Sequence, residues 1–168
     1  EHVPPVAAAA LRRRHRIGED DRVVLYTGNF SRYQGIDLLL EAFAAALARN
    51  PRLLLVCVGA SDEEQASRYA ASLPAHARYR ARILVRESRS TMASWFAAAD
   101  CLVTLRTSGR NVPLKVFEYM ASHRPIVASR GPAHEPALDA TRAFLCDPDP
   151  AGVSLALQRV FADPERAL

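Results

Sequence analysis

The stretch Val23-Val24-Leu25-Tyr26-Thr27-Gly28-Asn29-Phe30-Ser31-Arg32-Tyr33-Gln34-Gly35-Ile36-Asp37-Leu38-Leu39-Leu40-Glu41-Ala42-Phe43 decides the fold. It opens on a run of β-branched and aliphatic residues and breaks at Gly28. A short polar loop follows, and a second segment starts at Gly35. In that segment Ile36, Leu39, Leu40, Phe43 and Leu47 share one side of a 3.6-residue period, while Asp37 and Glu41 fall elsewhere. Strand, glycine loop and amphipathic helix form the first half of a βαβ unit. The nearly unbroken apolar character of residues 23–28 is what a strand buried on both faces requires, so the sheet should be parallel and covered by helices.

The same alternation continues along the chain. Strands are predicted at 23–28, 53–59, 81–86, 100–105, 125–129 and 143–146. Helices are predicted at 35–49, 63–73, 90–99, 113–122, 134–140 and 152–162. The expected fold class is α/β: a Rossmann-like parallel sheet of about six strands with helices on both faces. At 168 residues the chain suits one such domain, assigned to 23–168. Residues 1–22 read differently. Pro4-Pro5, an alanine run and Arg12-Arg13-Arg14-His15-Arg16 suggest a linker followed by a basic helix.

Composition narrows the function classes. A chain that is 49% hydrophobic and 24% charged has the material for a packed core, which excludes a disordered or fibrous protein. No apolar run reaches the roughly 18 residues of a membrane span. No signal-peptide pattern opens the chain, and a cytoplasmic location is expected. Cys57, Cys101 and Cys146 are odd in number and widely spaced, so they are expected to be buried thiols in a reducing compartment. No constellation of metal ligands is visible.

The net charge is +4, but 21 of the 22 basic residues are arginine and 30 residues are alanine. Base composition of the coding DNA accounts for such a bias, so charge alone does not argue for nucleic acid. No aromatic residue is interleaved with the arginines of 12–16. They read as a solvated helix face, with peripheral contact to a membrane surface as the alternative. The single lysine, Lys115, stands out against this background.

Two loops hold residues suited to chemistry. After the first strand, Gly28 and Gly35 bracket a place where backbone can approach a ligand at the start of a helix, which suits a phosphate. An ordinary turn fits the same residues, and neither the dinucleotide fingerprint nor the P-loop is matched. The second loop is Ser108-Gly109-Arg110-Asn111-Val112-Pro113-Leu114-Lys115-Val116-Phe117-Glu118-Tyr119-Met120. Gly109 and Asn111 make a turn, and Pro113 is placed as a helix's first residue. Lys115 then lies in the first turn, against the helix dipole unless an anion sits there. Glu118, one turn on, is suited to accept two sugar hydroxyls. A simple ion pair between Lys115 and Glu118 is the alternative, and the two loops taken together favour a ligand.

Residues 25–30 with 33–43, and 112–121 followed by Arg124-Pro125-Ile126-Val127-Ala128-Ser129, resemble the carboxy-terminal domain of retaining glycosyltransferases of the GT-B fold, the "glycosyl transferases group 1" family. The close, Asp147-Pro148-Asp149-Pro150 and a helix to Phe161-Ala162-Asp163-Pro164, is similar too.

The resemblance implies a domain that binds a nucleotide-diphosphate sugar, UDP- or GDP-linked, as donor substrate and holds no tightly bound cofactor. It places Gly28, Asn29 and Gly59 near the diphosphate. Gly109, Asn111, Pro113 and Leu114 would face the diphosphate and donor sugar, Glu118 the ribose, and Arg86 with Glu87 the base. Lys115 and Arg32 would stabilise the leaving diphosphate. An amino-terminal acceptor domain would complete the enzyme, and the isolated chain is expected to turn over poorly or not at all. The departures are Asn29 and Gln34 where the family carries basic residues, Arg110 where it carries the first of two glutamates, and His123 where it carries glycine. They leave open an epimerase of the same architecture or a degenerate interaction domain.

Overall fold

A computed structural model describes residues 5–163, so Pro4 and Pro164 lie outside the described residues. The elements follow in the order α1 Pro5–Arg14, β1 Arg22–Thr27, a 3₁₀ turn Arg32–Gln34, α2 Ile36–Leu47, β2 Leu53–Ala60, α3 Glu63–Ser72 and α4 Ala75–Arg78. They continue with β3 Ala81–Val85, α5 Arg89–Ala98, β4 Cys101–Thr104, α6 Leu114–Ala121, β5 Ile126–Ser129, β6 Phe144–Cys146 and α7 Pro150–Ala162.

The strands form one sheet in the order β3-β2-β1-β4-β5-β6, and every pairing is parallel. Period-two alternation divides the side chains between two cores. Val24, Tyr26, Leu55 and Cys57 join Phe43 of α2 and Leu157 of α7 on one face. Val23, Leu25, Leu54 and Val56 join Trp95 of α5 and Tyr119 of α6 on the other. All three cysteines are buried and free, and burial pushes the Cys57 thiol well above its ordinary range. No helix among the described residues is long and apolar enough to cross a membrane.

Four expectations need correction. Residues 134–140 form successive turns rather than a helix, with His134 N–H on Gly131 O at 3.0 Å and Leu138 N–H on His134 O at 2.8 Å. Pro136 has no N–H to donate, so the ladder of helical hydrogen bonds is interrupted there and the apolar period does not propagate into a helix. Between α3 and β3 a one-turn helix, α4, follows Pro74. Pro113 caps α6 from outside, and Leu114 is its first residue. Arg12 is not part of a solvated face. Its guanidinium donates to Ala98 O at 2.9 Å, Gly18 O at 2.8 Å and Asp21 O at 2.9 Å, fastening α1 to the end of α5. Arg13, Arg14 and Arg16 are exposed as expected.

Candidate functional site

The strand order reverses between β1 and β4, the place in an open parallel sheet where the connections diverge and leave a crevice beyond the carboxyl ends. Gly28 follows β1 there, beside Gly59 near the end of β2. A Cβ on Gly59 would stand 2.1 Å from Gly28 O, at a backbone φ of +143°, so the two strand ends meet backbone to backbone. Gly28 N–H donates to Val58 O at 3.0 Å and holds that approach.

The loop after β1 and the loop after β4 are stitched together. A Cβ on Gly35 would touch Leu105 Cβ at 3.0 Å, so the start of α2 lies flat against the end of β4. Thr107 N–H donates to Tyr33 O at 3.1 Å, and the Arg106 guanidinium lies 4.9 Å from the centre of the Tyr33 ring. Within the first loop, Tyr26 OH donates to Asn29 O at 2.8 Å, and Asn29 Oδ1 accepts from Ser31 N–H at 3.1 Å.

Lys115 closes the arrangement. Its Nζ donates to Thr27 O at 2.9 Å and lies 4.1 Å from the centre of the Tyr26 ring. Gly28 lies directly beside it, since a Cβ there would come within 3.0 Å of Nζ. Burial, reinforced by the nearby positive Arg106, depresses the ammonium from its ordinary 10.5 to about 7. The same peptide is held from the other side: Tyr119 OH accepts from Thr27 N–H at 2.9 Å, lies 3.0 Å from Thr27 Oγ1, and donates to Val103 O at 3.4 Å. Tyr119 therefore fixes α6 against the ends of β1 and β4, and with it the placing of Lys115.

The ion pair weighed for Lys115 and Glu118 is not formed, because the ammonium turns inward to β1. Glu118 is exposed on α6, at the edge of an open groove of about 940 Å³ whose walls also include Arg12 and Phe96. It enters no salt bridge among the described residues.

The helix starts divide in the same sense. Asp62, Ser88 and Asp149 cap α3, α5 and α7 with side-chain oxygens. The starts of α2 and α6, which meet the crevice, have no side-chain cap. No side-chain oxygen occupies their first turns, a setting that suits an anion.

The remaining candidates divide. Arg32 is exposed on the 3₁₀ turn, where its carbonyl accepts from Gly35 N–H at 3.2 Å. Gly109 has a φ of +98° and lies beside Arg106 Nη1, which reaches Asn111 O at 3.4 Å. Pro113 is buried and Leu114 is 82% exposed. Glu87 lies past β3, where its charge acts on His15 rather than on Lys115. His123 takes the left-handed conformation after α6, at φ 54°, as its capping position suggests.

Two residues of the crevice are missing from the sequence reading. Arg106 follows β4 immediately beyond its last buried residues, a position that the switch-point geometry marks for function. His134 is 1% exposed: Nδ1 lies 2.8 Å from Ser129 O, and Nε2 lies 3.1 Å from Thr104 Oγ1. That network assigns the proton to Nδ1, and burial lowers the histidine's pKa, which keeps the ring neutral. His134 fell in the segment predicted as a helix, where nothing local marks it.

Comparison with known proteins follows the same lines. The sequence profile of "Glycosyl transferases group 1" matches residues 21–163. The chain is 31% identical to D-inositol 3-phosphate glycosyltransferase of Xylanimonas cellulosilytica, across 97% of this chain and 40% of that protein. It is 29% identical to phosphatidyl-myo-inositol mannosyltransferase of Mycolicibacterium smegmatis, across 77% and 31% respectively. In structure it is similar to Anabaena HepE, solved in complex with UDP and glucose, with a TM-score of 0.79 at 19% identity over 98% of this chain and 45% of that one. The chain thus spans less than half the length of these relatives. With its six-stranded parallel sheet and matching profile, it belongs to the glycosyl transferases group 1 family.

Proposed function

We propose that this chain is the donor-binding half of a glycosyltransferase that moves a sugar from a nucleotide diphosphate to an acceptor. The observation that carries the reading is the meeting of Lys115 with the Gly28 backbone at the strand switch point, beside two helix starts without side-chain caps. An anion is the ligand that such an arrangement suits. Relatives named as glycosyltransferase and mannosyltransferase support sugar transfer, and a structural neighbour solved with UDP and glucose supports a nucleotide-sugar donor.

In this mechanism the diphosphate lies over Gly28, Asn29 and Gly59 and against the Gly109–Leu114 turn. Lys115 leaves Thr27 O to face it, and the exposed Arg32 reaches in from the 3₁₀ turn. Both cations stabilise charge that builds on the leaving diphosphate as the sugar departs. Glu118 receives the ribose hydroxyls, and the segment at Arg86 and Glu87 lies beside the base. The acceptor comes from a second domain, in keeping with the 31–45% of the relatives' length that this chain spans.

The test is calorimetric titration of UDP and GDP into the full-length protein and its Lys115→Met and Glu118→Ala variants. Binding to one of the two nucleotides, weakened about tenfold or more by either substitution, is the expected result. No binding of either nucleotide to the wild type overturns the reading.

A further inference from the structure

Arg106 is a half-buried cation at the heart of the crevice to which the mechanism above gives no role. We propose that Arg106 is a further anion ligand of the donor site, beside Lys115 and Arg32, held in place by Ser129, His134 and Tyr33, and that the Lys115–Arg106 pair selects a diphosphate over a monophosphate. The inference rests on the donor-site reading.

The backbone of Arg106 is clamped by one hydroxyl. Ser129 Oγ accepts from Arg106 N–H at 2.9 Å and donates to Arg106 O at 3.2 Å. Ser129 is itself held by the buried His134, whose Nδ1–H donates to Ser129 O, while Thr104 Oγ1 lies against Nε2. The ends of β4 and β5 are thereby locked into one rigid mount. On the other side, the Tyr33 ring supports the guanidinium plane, and Tyr33 O is tied to Thr107 N–H.

What the mount presents is an underused fork. Arg106 Nε is buried and meets no acceptor, and Nη1 reaches Asn111 O only at a long 3.4 Å. Neither Arg106 nor Lys115 joins a carboxylate in a salt bridge among the described residues. The two cations are near enough that Arg106 helps to depress Lys115. Two uncompensated like charges in a partly desolvated crevice oppose each other until an anion lies between them. A planar guanidinium offers parallel donors to two phosphate oxygens, and the ammonium supplies a point charge to the rest. One cation suffices for a monophosphate, whereas a diphosphate uses both.

The test titrates UDP or GDP, whichever the wild type binds, the matching monophosphate and inorganic pyrophosphate into the full-length protein. The variants are Arg106→Gln, Arg106→Lys and Ser129→Ala, alone and combined with Arg106→Gln, each checked for folding by its melting curve. Arg106→Gln is expected to weaken diphosphate and pyrophosphate binding by about ten- to a hundredfold while changing the monophosphate little. Arg106→Lys recovers part of the loss if the melt shows Arg106→Gln to be destabilised. Ser129→Ala weakens the diphosphate when Arg106 is present and adds nothing once it is gone, a coupling that a purely structural serine would not produce. Wild-type-like diphosphate and pyrophosphate affinity in Arg106→Gln, with a loss in Lys115→Met, overturns this proposal and leaves the donor reading standing. No binding of nucleotide or pyrophosphate to the wild type overturns both.

Discussion

Lys115 is the sole lysine among 22 basic residues, and its buried surroundings shift its titration strongly downward. Its folded pKa of about 7 lies below the ordinary 10.5 because burial and Arg106 both disfavour the ammonium. Between those two values the unfolded chain holds a proton that the folded chain lacks. This group's share of stability therefore rises with pH from about 7 to 10.5 and is lost as pH falls through 7. Urea midpoints at pH 6 and pH 9 measure it: the Lys115→Met variant should show a smaller rise with pH than the wild type. On the proposed donor reading, a diphosphate bound beside Lys115 would restore its proton. Nucleotide binding at pH 8 is accordingly expected to take up protons, seen as a dependence of the calorimetric heat on buffer ionisation enthalpy, and Lys115→Met should remove that dependence.

At the scale of elements, the joints between strand ends and helix starts carry the site. Gly59→Ala would drive a methyl group into Gly28 O at a left-handed φ, and is expected to cost about 3 kcal/mol or more, read as a large fall in melting temperature. Tyr119→Phe leaves the Thr27 N–H buried without its acceptor and leaves Lys115 to tie α6 to Thr27 alone. A loss of about 1–3 kcal/mol in chemical denaturation is expected. The strands were legible because neighbours such as Val23 and Val24, or Leu55 and Val56, face opposite cores and are both apolar, a pattern that a parallel sheet imposes locally. Residues 134–140 were not, because the apolar period survives in sequence while Pro136 blocks the helix that it implies. Gly28 and Lys115 stood out through turn chemistry and through the helix dipole, both local signals. Arg106 did not, since one arginine among 21 is unremarkable until the ends of β4 and β5 are brought side by side through Ser129 and His134.

At the scale of the whole molecule, the six-stranded order brings the features of the candidate site together at the carboxyl ends of the central strands. The close glycine pair, the uncapped starts of α2 and α6, and the inward-turned Lys115 gather where β1 and β4 diverge. Membership of the glycosyltransferase family fits this asymmetry, and the proposed reading puts the donor in the crevice and the acceptor in the length of the relatives that this chain does not span. Titration of UDP and GDP into the full-length wild type and Lys115→Met proteins at pH 7 tests the central claim most directly. The account predicts that one nucleotide binds the wild type and that Lys115→Met weakens it about tenfold or more without unfolding the protein. Equal affinity in the two proteins, or no affinity in either, would contradict it.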